Sequence, residues 1–367
     1  MKSTKLLTWV CLVGIILLSV VGEDALSASD TAFRISRGVN ISHWLSQSRR
    51  RGQQRHSFFT EKDVKLIAGL GYDHVRLPID EEQLWDENGD REKEAFELLN
   101  NAIRWSRDND LKVVVDLHIL RSHHFNERHK PLWTDPKAQE KFFQLWRDLS
   151  SELIKYPVNL VAYELMNEPV ADNPEDWNKL VEKAVKVVRK AEPDRKIVIG
   201  SNRWQSVNTF DQLRIPEGDR NIILSFHFYT PMLITHYKAS WTGVGRYKGP
   251  VNYPGQLVDP QAIETLPKDI ARIVKGNNGI YNRDVLRKLL KKPLEVSRKH
   301  NLPLYCGEWG CYRTTPREAR LAWYKDVRSI LEENNIAWAN WDYKGGFAVV
   351  GRDGQPDEEL VRVLLPK

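Results

Sequence analysis

VAYELMNEPV, residues 161–170, is an apolar run that breaks into Asn167-Glu168-Pro169, and it has a counterpart far along the chain in LYCGEWG, residues 304–310. Both read as strands buried on two faces, the pattern of a parallel sheet rather than of an antiparallel one with a wet side. Each delivers a carboxylate at its end, Glu168 in the first and Glu308 in the second. A single buried Glu is equally well explained as half of a structural ion pair. Two of them on like strands, each among Asn, His, Tyr or Trp, ask for a shared chemical purpose.

Working outward, six further runs have the same character: 34–42 (RISRGVNIS), 74–79 (HVRLPI), 112–118 (KVVVDLH), 196–202 (KIVIGSN), 222–229 (IILSFHFY) and 337–343 (AWANWDY). With 161–168 and 303–309 they make eight strands. Between them, apolar residues recur at helical spacing over 60–69, 93–109, 135–156, 175–191, 282–300 and 316–334, and 357–365 closes the series. Thr60 with Asp63 three residues on is a capping pattern. Strand and helix in alternation specify an α/β fold, a (β/α)₈ TIM barrel, with its site at the C-terminal ends of the strands. No linker or repeat interrupts 28–367, which reads as one catalytic domain.

The N-terminus reads differently. A short positive start, Met1 to Lys5, precedes an almost wholly apolar stretch from Leu6 to Gly22, with Ala25 and Ser27 spaced as at a cleavage site. Residues 1–27 are therefore expected to be a signal peptide, making the protein secreted, extracellular or periplasmic. An uncleaved anchor is the other reading, since a run of about 17 apolar residues touches the lower limit for a span. Nothing later could cross a membrane. The net charge is +6, but basic and acidic residues interleave throughout, as on a solvated surface, and argue against a nucleic-acid partner. A monomer is expected. Cys306 alternates with Glu308 and so should point inward as a small core residue; two buried thiols are favoured over a disulfide between Cys306 and Cys311.

Polar residues fall at the strand ends: Arg76, His118, Asn167 and Glu168, His227 and Tyr229, Glu308, and Trp341. Each alone has a plain structural explanation, but packing needs do not readily send all eight to one rim. At this point the chain resembles glycoside hydrolase family 5, the large cellulase family of clan A. The Asn-Glu-Pro after the fourth strand resembles its acid/base motif, and the Gly-Glu-Trp strand its nucleophile. HVRLP, DLH, HFY and NWDY resemble its arginine, histidine, His-x-Tyr and tryptophan, and RGVNISHWL its first strand. The likeness spans roughly 34–345.

That resemblance implies a retaining, two-step displacement without metal or organic cofactor. Glu308 would be the nucleophile, held ionised by Arg76 and Tyr229. Glu168 would be the acid/base, tuned by His227 and Asn167, with Asn167 also reaching a sugar 2-hydroxyl. His118 would bind a hydroxyl of the reacting sugar, whose floor is Trp341. Retention calls for carboxyls roughly 5–5.5 Å apart.

Substrate choice is less legible. Aromatic residues on strand-end loops, Trp44, Trp133, Trp204, Trp241 and Tyr253, would suit stacking on an extended β-linked polysaccharide or oligosaccharide. The insertion at 231–278 would wall the cleft. His123, His124 and His129 in RSHHFNERHK suggest a metal only superficially, since nothing nearby offers buried carboxylate ligands or a second ligand strand, and the stretch reads as a charged loop at the cleft edge. The leading expectation is an endo-β-1,4-glucanase. A β-mannanase, xyloglucanase, β-1,3-glucanase or glycolipid hydrolase of the same chemistry, a non-catalytic glycan-binding barrel and a metal-dependent barrel hydrolase stand as alternatives.

Overall fold

The computed structural model describes residues 32–351 and 353–366, so the expected signal peptide over 1–27 lies outside the described residues. Eight parallel strands close into a barrel: β1 (Arg37–Asn40), β2 (His74–Asp80), β3 (Lys112–Ile119), β4 (Val161–Glu164), β5 (Ile197–Gly200), β6 (Ile222–Phe228), β7 (Leu304–Trp309) and β8 (Ala337–Asn340). Each pairs with its sequence neighbour, and β1 pairs with β8 to complete the ring. The expected (β/α)₈ barrel is the observed fold. Among the described residues, no helix is long and apolar enough to cross a membrane.

Helices α1 (Glu61–Leu70), α2 (Lys93–Arg107), α3 (Pro136–Leu153), α4 (Pro174–Arg189), α5 (Arg283–Leu289), α6 (Lys291–His300), α7 (Arg317–Glu333) and α8 (Glu358–Leu364) surround the barrel. Their starts follow local chemistry. Thr60 and Asp63 form the reciprocal capping box of α1, while Asp135 and Asn173 cap α3 and α4 with proline at the first helical position. The single helix expected over 282–300 is two, broken at Leu290 (φ −83°, ψ 5°). Pro293 falls in the first turn of α6, where its missing N–H leaves no bond unmade. Between β5 and β6 the alternation fails: a four-residue turn, Asn202–Gln205, and a 3₁₀ segment, Val207–Gln212, stand in place of a full helix.

Two apolar layers hold the barrel. Its helical jacket packs on the outward strand residues, among them Val113, Val115, Tyr163 and Trp338. Inside, Val114, Ala162, Val198, Ile223, Tyr305 and Ala339 fill the lower barrel, with Phe33 packed among them. Gly38 is required there because a Cβ would lie 2.3 Å from the His74 ring, which fills the space and contacts the Tyr305 hydroxyl at 3.1 Å. Above this layer the interior turns polar, and the site begins.

The expectation that Cys306 shares a face with Glu308 is corrected. Phe226 pairs with Cys306 but His227 with Glu308, so β7 carries one extra residue at Gly307. The bulge turns Cys306 out into the helix-facing core while Glu308 faces the barrel mouth. Cys306 and Cys311 are both buried free thiols. A similar irregularity in β3, between Leu117 and Ile119, re-aims His118.

Candidate active site

A single guanidinium organises the mouth of the barrel. Arg76, fully buried in the middle of β2 rather than at its end, donates to Glu164 Oε2 from Nε (2.6 Å) and to Glu308 Oε1 from Nη1 (2.7 Å). Its Nη2 lies 3.0 Å from Asp116 Oδ2 and donates to Asn167 Oδ1 at 2.9 Å, and Nη1 also reaches Asn40 Oδ1 at 2.9 Å. Three buried carboxylates around one cation cannot all be comfortably ionised. Burial accordingly pushes Asp116 up to about 7 against the pull of Arg76, and raises Glu164 as well.

Glu308 receives one charged and one neutral hydrogen bond. Besides Arg76, the Tyr229 hydroxyl donates to its Oε2 at 3.0 Å, and burial together with the Glu308 charge raises the Tyr229 pKa, so that hydroxyl stays protonated. Glu168 has a weaker set: a 2.9 Å hydrogen bond between its Oε1 and His227 Nδ1. Burial, and then Arg76, keep the His227 ring neutral, so it does not draw the proton off Glu168 as an imidazolium would. Burial followed by the Glu308 charge raises Glu168 well above the ordinary carboxylate range. Burial raises Glu308 too, but against Arg76 at contact distance, so the proton of the pair rests on Glu168.

One oxygen of Glu168, one of Glu308 and a His227 nitrogen lie within 4.8 Å of one another. This is the one group among the described residues with the donors for a metal ion. Its members already hold one another, Arg76 and Tyr229, so positive charge reaches Glu308 from the guanidinium. His118 lies buried beside them with Nδ1 2.7 Å from Asp116, its ring lowered to about 3 by burial and parallel to that of Trp341 (10°, centroids 5.6 Å). Asn167 Nδ2 has no partner.

All eight strand-end residues named from the sequence therefore meet at one place. The cleft above them has a volume of about 2090 Å³, beyond the ~300–1,000 Å³ of small-molecule pockets. Trp204 and Trp241, 43% and 56% exposed, line it. Trp44 does not, and its assignment to the substrate is corrected. It is wholly buried, donates from its indole N–H to the Arg55 carbonyl (2.8 Å) and packs on Phe59. Tyr253 is likewise internal, its hydroxyl donating to Asp326 at 2.7 Å, and Trp133 packs on His123 and Trp177. Of the insertion, only its start, from Met232 to Gly243, borders the cleft. In RSHHFNERHK, His123 accepts the Val170 N–H at Nε2 (3.2 Å), a structural contact behind Glu168.

Sequence reasoning missed Asn40, Asp116, Glu164 and Gln205. Asp116 and Glu164 carry the same signal that marked Glu168 and Glu308, an acid inside an apolar strand, and could have been found by it. Gln205 could not. It follows Arg203 and Trp204 in a run of three left-handed residues (φ 56°, 62° and 50°), a conformation that costs about 1–2 kcal/mol per non-glycine residue and has no sequence signature here. Glu168 is also left-handed, at φ 44°.

A family model described as cellulase (glycosyl hydrolase family 5) matches residues 32–346. Endoglucanase C of Acetivibrio thermocellus is 34% identical over 337 residues, covering 89% of this chain and 97% of its own. Cellodextrinase A of Ruminococcus flavefaciens is 28% identical over 307 residues, covering 83% and 84%. Among solved structures, Thermotoga maritima Cel5A in complex with cellobiose superposes with a TM-score of 0.74 at 25% identity, covering 90% of this chain and 97% of that one.

Proposed function

The chain belongs to glycosyl hydrolase family 5, and from that premise we propose that it is a retaining endo-β-1,4-glucanase in which Glu308 is the nucleophile and Glu168 the acid/base. The observation that carries the mechanism is the approach of the two carboxylates to within 4.8 Å. Retaining enzymes hold them about 5–5.5 Å apart, whereas inverting ones leave about 6.5–9.5 Å for a water. Glu308 attacks the anomeric carbon as the glycosidic C–O bond breaks, and the proton of Glu168 passes to the leaving oxygen. Glu168 then takes a proton from water, the water oxygen bonds to the same carbon, and Glu308 leaves with the electron pair. His118 and the unpartnered Asn167 Nδ2 are placed to bind hydroxyls of the reacting sugar, against Trp341. Trp204 and Trp241 offer stacking faces along the cleft.

The test is sugar release from carboxymethylcellulose, mixed-linkage glucan, xyloglucan and galactomannan, with and without excess chelator. Release from the β-1,4-glucans, unchanged by chelator, is expected. Release from galactomannan alone would keep the mechanism and replace the substrate, and loss with chelator would put a metal at Glu168, His227 and Glu308. Export belongs to the same reading, because a polymeric glucan does not enter a cell. The N-terminus of protein recovered outside the cytoplasm should begin near residue 28, and an intact Met1 there would contradict cleavage.

A further inference from the structure

We propose that Gln205 is a positioning residue for the acid/base, the central member of a backbone clamp that holds Glu168 in line with the glycosidic oxygen. The inference rests on Glu168 being the acid/base. Glu168 is left-handed at φ 44°, a conformation that no side-chain preference sustains and that its surroundings must impose. Its backbone N–H donates to Gln205 Oε1 at 3.0 Å. From the other side of the amide, Gln205 Nε2 donates to Glu164 Oε1 and to Ser225 Oγ, both at 3.1 Å. Glu164 is the carboxylate that grips Arg76, and Arg76 grips Glu308. One buried amide thus ties the backbone of the proton donor to the cluster that fixes the nucleophile.

The fold makes room for this. A Cβ at Gly200 would lie 2.3 Å from Gln205 Cγ, so only glycine at the end of β5 lets the Gln205 side chain lie down into the barrel. The left-handed turn over Arg203–Gln205 sends Gln205 inward while leaving Trp204 in the cleft. The same turn holds the loop behind Glu168 at three more points. The Trp204 N–H donates to the Pro169 carbonyl (3.3 Å), and Asn202 both accepts from the Ala171 N–H (2.8 Å) and donates to its carbonyl (2.9 Å). Of the residues in this turn, Gln205 is the one that hydrogen-bonds residue 168 itself, and it holds the backbone where His227 holds the carboxyl. Losing it would leave the loop attached and the acid free to tilt.

A mispositioned acid harms only reactions that need its proton. The test therefore compares kcat/KM, which reports the first chemical step, for cellotetraose and for dinitrophenyl β-cellobioside, whose leaving group departs as a stable anion. Gln205→Ala is expected to lose about 10²-fold on cellotetraose and at most about threefold on the aryl glycoside. Gln205→Glu, assayed near pH 5, where burial beside Glu164 favours the protonated acid, keeps an acceptor for the Glu168 N–H. It should recover most of the loss, whereas Gln205→Met, which keeps the bulk but offers no acceptor, carries the comparison if the alanine variant does not fold. Equal losses on both substrates in soluble Gln205→Ala or Gln205→Met, or none, would overturn the proposal. Glu168→Gln separates the two layers of the argument. If its own loss is independent of the leaving group, the acid/base reading fails. If its loss depends on the leaving group and that of Gln205→Ala does not, the clamp alone fails.

Discussion

Glu308→Ala is expected to lower kcat on β-glucan by roughly 10⁴–10⁶-fold while leaving the protein folded. The chemical loss follows from the geometry. No other carboxylate reaches the face of the sugar opposite the leaving oxygen, because Glu164 and Asp116 are turned down onto Arg76. The fold should survive because Arg76 keeps both of those partners, so no buried charge is stranded. The vacated space borders a guanidinium and the Tyr229 hydroxyl, which makes it a place for a small anion. With dinitrophenyl β-cellobioside and azide, the variant should form an azide of inverted configuration. The new carbon–nitrogen bond forms on the face that Glu308 had used as the dinitrophenolate leaves. Near-normal turnover in Glu308→Ala, or an azide product of retained β configuration by NMR, would put the nucleophile elsewhere. The substitution also removes the charge that follows burial in raising Glu168. The carboxyl of Glu168 should therefore titrate at lower pH in the variant than in the parent.

The parts of this molecule that could be read in advance share one physical property: they are set by local pattern. Strands buried on both faces are apolar throughout, and helices show a 3.6-residue period, so the barrel follows from periodicity and the rim follows from the barrel. What resisted reading was set by features without a pattern. A bulge at Gly307 reverses which face Cys306 occupies, and strict alternation has no means of anticipating one inserted residue. Trp44 stands just beyond β1, where an exposed stacking residue would stand, but the Arg55 carbonyl and Phe59 enclose it, and burial imposed by a neighbouring loop leaves no mark on residue 44. Gln205 owes its position to three left-handed residues that include no glycine, and only Gly200, five residues earlier, hints that something must approach β5 closely. Asp116 and Glu164 are different. Their signal was present, but attention to strand ends passed over acids in strand interiors, where the charge balance of the site is decided.

That charge balance supplies the largest expected effect on stability. Arg76→Leu should destabilise the fold by about 3–5 kcal/mol, because it strands Asp116, Glu164 and Glu308 without their shared cation while leaving them buried. At about 2.1 cal/mol/K of unfolding entropy per residue, that is a fall in Tm of about 4–7 °C for a domain of this size. The deficit should depend on pH with a definite sign. In the unfolded chain these carboxyls titrate near pH 4; in the folded protein burial already raises Asp116 to about 7. A group that holds its proton longer when folded makes stability fall as pH rises from its unfolded pKa through its folded one. Without Arg76, Glu164 and Glu308 lose the contact that opposes their burial, so their folded values climb and the same fall deepens. Variant and parent should be closest near pH 4–5 and furthest apart above about pH 7. Denaturant melts across that range check it, and two curves that stay parallel would mean that Arg76 is not what neutralises the cluster. Arg76→Lys sharpens the case. It returns a positive charge but not the planar fork that bonds Glu164 and Glu308 at once, so it should recover stability more than activity. Its activity should also begin at higher pH than the parent's, as Glu308 gives up its proton later. Full activity in the lysine variant would show that Glu308 needs only a nearby charge, and that the fork geometry of Arg76 serves the fold rather than the reaction.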